Sequence, residues 1–130
     1  MNGFLRILGL VAICLVMGCE FGVGAPDTVA QKWRNIDVRV ETRPSPPQSG
    51  PLEFLVILTD DQGHPAWSAM VEIRTSDTDD WKQCIQDGRV GVFRRSAVVN
   101  AGSRSVVQVQ IHYQNDTTVL RFPIKLSTVN

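Results

Sequence analysis

Apolar and polar residues alternate along most of the chain from residue 35 onward. In 35–42, for example, Ile36, Val38 and Val40 alternate with charged side chains. Side chains two positions apart point to the same face of a strand, so this period predicts half-buried β-strands. Seven strands are predicted in all, over residues 35–42, 52–59, 69–75, 84–86, 89–99, 105–113 and 117–126.

Turn-forming residues separate these strands. Prolines and a glycine follow the first strand at 44–50, and residues 60–65 read DDQGHP. Proline lacks the ladder donor and glycine frees the turn, so both segments end a strand. The dipeptide Asp87-Gly88 favours the positive φ angles of a tight hairpin.

Short strands at this spacing predict an all-β fold: a single seven-stranded immunoglobulin-like β-sandwich over residues 33–130. A closed barrel is the alternative. Residues 52–59 are apolar almost throughout, which predicts a central strand covered on both faces. Pro123 predicts that the last strand lies at a sheet edge, where a missing amide donor faces solvent.

The first 18 residues have the three-part layout of a secretory signal. Arg6 is basic, residues 7–17 are apolar, and Gly18 follows. Signal peptides carry an apolar stretch of roughly 7–15 residues, whereas a spanning helix needs about 20. We therefore predict a signal peptide over 1–18 and a flexible tether over 19–32. Within 28–33, TVAQKW, Asp27 is placed to start a short helical turn.

Residues 16–19, Val-Met-Gly-Cys, resemble the lipobox of bacterial lipoproteins. The resemblance implies cleavage before Cys19, which becomes the first residue and carries fatty acyl chains such as palmitate on its sulfur and nitrogen. It implies a periplasm-facing lipoprotein of the bacterial cell envelope, held on the membrane by its N-terminal lipid. Cys14 would leave with the signal peptide. A plain signal peptide cleaved after Gly24 or Ala25 is the alternative.

Removal of residues 1–18 from the 130 leaves 112 residues, with 12 basic and 13 acidic side chains. A nucleic-acid-binding domain would show a basic face, so no nucleic-acid partner is expected. Cys84 is the one thiol that remains besides Cys19, and no internal disulfide is expected. No enzyme motif is present, so we expect a non-catalytic protein without a cofactor.

The run from 41 to 75 resembles the front half of the YtkA-like and FixH-like envelope domains. Residues 46–50 match a PP-x-x-G turn, and residues 60–65 match a D-x-x-G-x-P turn. The resemblance implies a β-sandwich and, as in some relatives, a role in metal handling or oxidase assembly. The methionine- and glycine-rich loop usual in the second half of that family is not seen in this sequence.

Four residues form the alternative prediction of a copper site, because Cys, His and Met side chains suit copper. They are His64, Met70, Cys84 and His112. No two of them stand at a ligand-pair spacing, so the main prediction is two exposed histidines and no metal. Asp77 and Asp79 begin a calcium-loop pattern that fails at its glycine and glutamate positions, which predicts a solvated acidic loop.

Trp67, Trp81 and Cys84 are the candidate contacts for a partner protein. Trp67 stands at a turn, and tryptophan is enriched in interfaces. Cys84 is either a small buried hydrophobe, the favoured alternative, or a thiol that pairs with a partner. The main hypothesis is an accessory module that binds another envelope protein. The alternative is a periplasmic copper chaperone or oxidase-assembly factor of the YtkA and FixH type.

Overall fold

The computed structural model describes residues 28–100 and 105–127, and this part of the chain contains nine β-strands and no helix. None of it, therefore, forms a helix long and apolar enough to cross a membrane. The strands are β1 (Gln31–Trp33), β2 (Ile36–Arg43), β3 (Gly50–Asp60), β4 (Met70–Arg74), β5 (Lys82–Gln83), β6 (Ile85–Gln86), β7 (Val92–Val99), β8 (Ser105–Tyr113) and β9 (Asp116–Ile124).

Two antiparallel sheets pack face to face as a β-sandwich. The five-stranded sheet has the order β1-β2-β3-β7-β6, and the four-stranded sheet has the order β5-β4-β8-β9. The predicted all-β sandwich is confirmed. Nine strands replace the seven predicted, because β1 was not predicted and the segment 82–86 is divided between the two sheets as β5 and β6.

The inner faces of the two sheets form one apolar core. The alternating positions of β2, β3, β4 and β8 supply most of it, and Phe54, Phe93 and Phe122 are its largest fully buried side chains. Burying one such side chain contributes about 1.5–3 kcal/mol relative to leaving it exposed. This cluster therefore provides the main stabilisation of the described fold.

Strand β3 is the centre of the five-stranded sheet, between β2 and β7. Phe54 and Val56 point into the core, and Leu55 on the outer face is also buried, at 4% exposure. Glu53 and Ile57 on that outer face are only half-buried. The prediction that this strand is covered on both faces thus holds at Leu55 alone, because the described residues form two layers and not three.

The fold begins before residue 33. Thr28 is buried, and its Oγ1 donates a hydrogen bond to the Val40 carbonyl at 2.8 Å. Strand β1 pairs with the first residues of β2. The predicted tether therefore ends at residue 27 at the latest. The helical turn predicted over 28–33 is wrong, because this segment contains β1, the edge strand of the five-stranded sheet. The signal peptide over 1–18 lies outside the described residues.

Pro123 lies in β9, an edge strand, as predicted. The Arg121 carbonyl faces the open side of this edge, since it accepts a hydrogen bond from the Gln31 side chain. Backbone groups of alternate residues share a side in an antiparallel ladder. The missing donor of Pro123 therefore faces the open side, where no ladder hydrogen bond is lost.

The predicted hairpin at Asp87-Gly88 has its positive backbone angle, since Gly88 has a φ of 61°. The loop is longer than predicted, because Gly91 also has a positive φ, 74°, and β7 begins only at Val92. Residues 89–91 thus belong to the loop and not to the strand.

Candidate functional site

The two ends of the sandwich present different parts of the chain. The loops 44–49 and 75–81 lie at one end of the sandwich, which we call the proximal end. The chain enters the fold at Thr28, beside the middle of β2, and from there β1 runs away from the proximal end. The loops 61–69 and 87–91 lie at the opposite, distal end, since Ile36 pairs with Asp60 there.

A cleft of about 580 Å³ opens at the side of the sandwich near the distal end. It lies where the chain crosses from β5 in one sheet to β6 in the other, and Cys84 is the residue between these strands. Met70, Ile85 and Gln86 contribute to its walls. Its volume falls in the range of about 300–1,000 Å³ that ligand pockets occupy.

Arg95 also lines the cleft, from an unusual position in β7. Phe93 and Ala97, two positions before and after it on the same face of the strand, are buried in the core, whereas Arg95 is exposed. Its guanidinium reaches the Gln83 carbonyl at 3.5 Å. A cation therefore stands at the open side of the sandwich, next to the point where the chain changes sheets.

Cys84 is a free thiol with 6% exposure, so burial, the favoured prediction for it, is confirmed. Its backbone N–H donates to the Val71 carbonyl at 2.8 Å, which holds the crossing segment against β4. Burial raises the pKa of the thiol to about 12, although the nearby Arg95 charge acts in the opposite direction. The thiol is therefore protonated at neutral pH and is a poor nucleophile.

We expect Cys84 to react slowly with iodoacetamide in the native protein. Raising a thiol pKa from 9.0 to about 12 lowers the thiolate fraction at pH 8 about a thousandfold. The tryptic peptide of residues 83–89 can be followed by mass spectrometry in native and urea-unfolded full-length protein. Labelling should be far slower in the native state and rise with pH up to about 12. Equal rates in the two states would contradict this assignment.

Exposed apolar side chains lie in the cleft wall and in the two distal loops beside it. The Trp67 carbonyl accepts a hydrogen bond from the Gln86 side chain, and the Arg89 guanidinium lies 4.8 Å from the Trp67 ring centroid. These contacts hold the loops 61–69 and 87–91 together. We call the following exposed residues the distal patch: Trp67 at 43%, Met70 at 42%, Ile85 at 72% and Val90 at 59%.

A hydrogen-bonded cluster around His112 covers part of the outer face of the four-stranded sheet. His112 Nε2 lies 3.1 Å from Glu72 Oε1 and 3.0 Å from the Gln110 amide, and its Nδ1 lies 3.0 Å from Thr117 Oγ1. The ring was predicted to be exposed on a polar face. It is on that face, but half-buried and hydrogen-bonded through both nitrogens.

A second polar cluster lies on the same face, toward the proximal end. The Gln108 side chain donates a hydrogen bond to Asp77, which keeps the pKa of that carboxyl below its usual value. Arg74 bonds to Gln108 at 3.0 Å and stacks on the Trp81 ring at 4.3 Å. Asp77 is exposed, at 73%, in agreement with the predicted solvated acidic loop, and it is in addition hydrogen-bonded to the sheet.

The structure separates the predicted partner contacts. Trp67 and Cys84 both lie at the distal side, joined through Gln86, which lines the cleft and bonds to Trp67. Trp81 lies in the polar cluster of Arg74 on the other sheet. The three residues therefore do not form one surface.

The four candidate copper ligands are also divided. Met70 lies opposite His112 in the strand register and shares the cleft with Cys84. His64 stands apart in the 61–69 loop, with its Nδ1 3.5 Å from Asp60 Oδ2. Across residues 28–100 and 105–127, no three His, Cys, Asp or Glu side chains converge on a point that could hold a metal.

Sequence reasoning did not identify Ile85, Val90 and Arg95 as site residues. The period-two pattern assigned Val90 to a strand, and Arg95 stands at a position of β7 that the alternation assigns to the core. The visible signal is two apolar residues on either side of the Asp87-Gly88 turn. Their exposure depends on how the two sheets meet, which the local pattern does not contain.

No protein family, characterised protein or solved structure was found to match this chain. Cys19, the predicted lipid attachment residue, lies outside the described residues. The geometry of the distal side is therefore the basis of the functional proposal.

Proposed function

We propose that this protein is a lipid-anchored, non-catalytic binding module of the bacterial cell envelope. Its anchor is Cys19, and its distal patch binds another envelope protein. The observation that carries the proposal is the grouping of exposed apolar residues. Of the seven large apolar side chains exposed in the described part of the chain, Met70 and Ile85 line the cleft, and Trp67 and Val90 stand in the two distal loops beside it.

Such a grouping differs from ordinary surface exposure. Single exposed apolar residues are normal on a protein surface and need no explanation. A patch that combines Trp, Met and Arg side chains has the composition of an interface core, in which these residue types are enriched. The cleft between Met70 and Ile85 offers the concave surface that a partner side chain would fill.

The proposed anchor and the patch are compatible in space. Nine residue steps separate Cys19 from Thr28. A fully extended chain spans at most about 3.3–3.6 Å per residue, so this segment reaches roughly 30 Å. Thr28 lies beside Val40, and the chain after it runs toward the distal end, so the segment before it would approach from the proximal side. The anchor would therefore hold the proximal end toward the membrane. The distal patch would then face away from it.

The strand order supports an immunoglobulin-like topology. The described strands β2, β3, β7 and β6 follow the order of strands A, B, E and D of an immunoglobulin domain. The strands β4, β8 and β9 follow the order of C, F and G, with β5 as an added edge strand. The resemblance of 41–75 to YtkA-like and FixH-like domains belongs to the same proposal.

We expect a photo-crosslinking residue at position 90 to form a discrete adduct with one envelope protein in intact cells. Replacing Trp67 by alanine and Ile85 by glutamate should weaken this adduct strongly. Truncating a central interface tryptophan costs about 2 kcal/mol or more, roughly thirtyfold in affinity. Both side chains are exposed, so the fold should be retained; the adduct is measured by immunoblot and mass spectrometry.

A crosslinker at Val119 is the matched control. Val119 is also an exposed valine, at 47%, but it lies on the outer face of the four-stranded sheet, away from the cleft. The same adduct from positions 90 and 119, or an adduct from 90 that survives the double substitution, would show that the distal patch is not the binding surface.

A further inference from the structure

Most sheet edges in the described part of the molecule are short or blocked. Strand β1 has three residues, and β5 and β6 have two each. The long edge of β9 contains Pro123, its Arg121 carbonyl is bound by Gln31, and its Thr117 N–H donates to the Asp116 side chain at 3.0 Å. Proteins blunt edges in these ways because an open edge pairs with other chains.

The second half of β7 is different. Strand β6 pairs only with Phe93 and Arg94, whereas β3 pairs with β7 as far as Val99. The segment before β6 is β5, which belongs to the other sheet, so the chain leaves the side of β7 at Cys84. From Arg95 to Val99, β7 therefore has a strand neighbour on one side and none on the other.

The backbone groups that face this open side can be assigned. Val92 faces it, since its carbonyl accepts a hydrogen bond from the Asp87 N–H at 2.8 Å. Backbone groups of alternate residues face the same side, which places Ser96 and Val98 there as well. The Val98 carbonyl is bound by Thr75 Oγ1 at 3.0 Å. No hydrogen bond from another described residue reaches the Ser96 N–H, the Ser96 carbonyl or the Val98 N–H.

The charges beside this edge favour an acidic ligand. Arg94 is paired with Asp87 at 3.4 Å and with Glu53 at 4.0 Å, so these two carboxylates are committed to it. Arg95 has no carboxylate within ion-pair distance among the described residues, and its one hydrogen bond, to Gln83, is long at 3.5 Å. Arg95 is therefore the unmatched cation of the edge.

A groove of about 500 Å³ runs beside the same residues, lined by Ile85, Arg94, Arg95 and Ser96 among others. Two polar atoms of the residues that line it, Glu53 Oε1 and Arg94 Nε, are buried and have no hydrogen-bond partner. Glu53 Oε1 already lies 4.0 Å from Arg94 in an ion pair, whereas Arg94 Nε is a buried donor without an acceptor. Buried donors are normally paired, so an oxygen atom of a bound segment would be stabilised there.

We propose that the edge of β7 at Ser96–Val98 binds an extended acidic peptide segment of another protein. The segment adds as an antiparallel strand in line with β6, and its carboxylate pairs with Arg95. Main-chain hydrogen bonds supply affinity in this mode, and side chains supply specificity. The proposal rests on the binding role inferred above. Its hydrogen-bonding edge at Ser96–Val98 is separate from the distal patch, and Ile85 is the one patch residue named above that also lines the groove.

A second copy of the chain is a poorer occupant of this edge. Pairing β7 with itself would place Arg94 and Arg95 of both copies along one short ladder. Like charges on facing strands are destabilising. An acidic segment replaces this repulsion with an ion pair to Arg95.

The test uses two nine-residue peptides, acetyl-GSTVEVTSG-amide and acetyl-GSTVKVTSG-amide, titrated into ¹⁵N-labelled full-length protein. The glutamate peptide should shift the amide resonances of Ser96 and Val98 and slow their exchange with solvent. The lysine peptide should bind about tenfold more weakly, the loss of one charge-assisted hydrogen bond. Arg95→Glu should reverse this order of affinities.

Ser96→Pro removes the central donor of the edge and should abolish binding, with the fold retained because that N–H faces the open side. Ser96→Thr keeps the N–H and is the matched control. Equal affinity for the two peptides, unchanged binding to Ser96→Pro, or shifts confined to β9 would each overturn the proposal. So would a concentration-dependent dimer that Ser96→Pro abolishes. If position 90 of the otherwise native protein formed no adduct while the peptide still bound, the distal patch alone would be rejected.

Discussion

Substituting Cys19 with serine is expected to abolish fatty acylation of the protein. The proposed lipid is joined through the cysteine sulfur, and a serine at this position offers no thiol. Each buried methylene contributes about 0.8 kcal/mol, and stable anchoring needs more than one acyl chain. Cells supplied with alkyne-tagged palmitate should therefore label the native protein and leave Cys19→Ser unlabelled.

Cys14→Ser is the matched control, since it makes the same change five positions earlier, within the apolar run. It should leave labelling unchanged because Cys14 is proposed to be discarded. The amino-terminal tryptic peptide of the native protein should span 19–32 and carry the mass of the acyl chains. An unmodified terminus beyond Cys19, or labelling that persists in Cys19→Ser, would overturn the anchor and the orientation derived from it.

Replacing Gly91 with alanine is expected to lower the free energy of unfolding by about 3 kcal/mol. Gly91 has a φ of 74°, and a Cβ there would lie 2.5 Å from the Leu58 carbonyl oxygen. That oxygen accepts a hydrogen bond from Ala66, and the Gly91 carbonyl accepts one from Leu58. The substitution therefore strains the backbone at residue 91 and displaces the backbone at Leu58, which is hydrogen-bonded to both Gly91 and Ala66. Urea unfolding of the full-length protein measures the loss.

Gly88→Ala provides the comparison within the same loop. Gly88 also has a positive φ, 61°, but nothing lies within 4 Å of a Cβ built there. This substitution carries only the left-handed backbone penalty, about 1 kcal/mol. If the two variants lost equal stability, the close approach of Gly91 to Leu58 would not be a determinant of the fold.

The regular part of the fold was predictable because it depends on local pattern. The predicted strand 105–113 coincides with β8, and the predicted 35–42 and 52–59 lie within one residue or two of β2 and β3. Alternation of side chains is a property of each strand alone. Strand β1 was not predicted because three residues are too few to show a period, and its pairing with β2 decides its conformation.

The candidate sites divide in the same way. The turn at Asp87-Gly88, the edge position of Pro123 and the burial of Cys84 follow from residue types and their neighbours in the chain. The cleft depends on where the segment 82–86 changes sheets, and no local pattern contains this information. His112 was correctly assigned to the polar outer face, yet its bonds to Glu72 and Thr117 depend on strand register across two neighbours.

By itself, the sequence determined the class of fold, the apolar set that forms the core and the prediction of an anchor at Cys19. These features follow from hydrophobic period and from residues adjacent in the chain. Only the tertiary structure decided that Trp67 and Ile85 share a surface while Trp81 does not, and that β7 has an open edge beside Arg95. Both depend on contacts between segments distant in sequence. Because the chain crosses to the other sheet at Cys84, β6 is short and leaves the second half of β7 without a neighbour on one side.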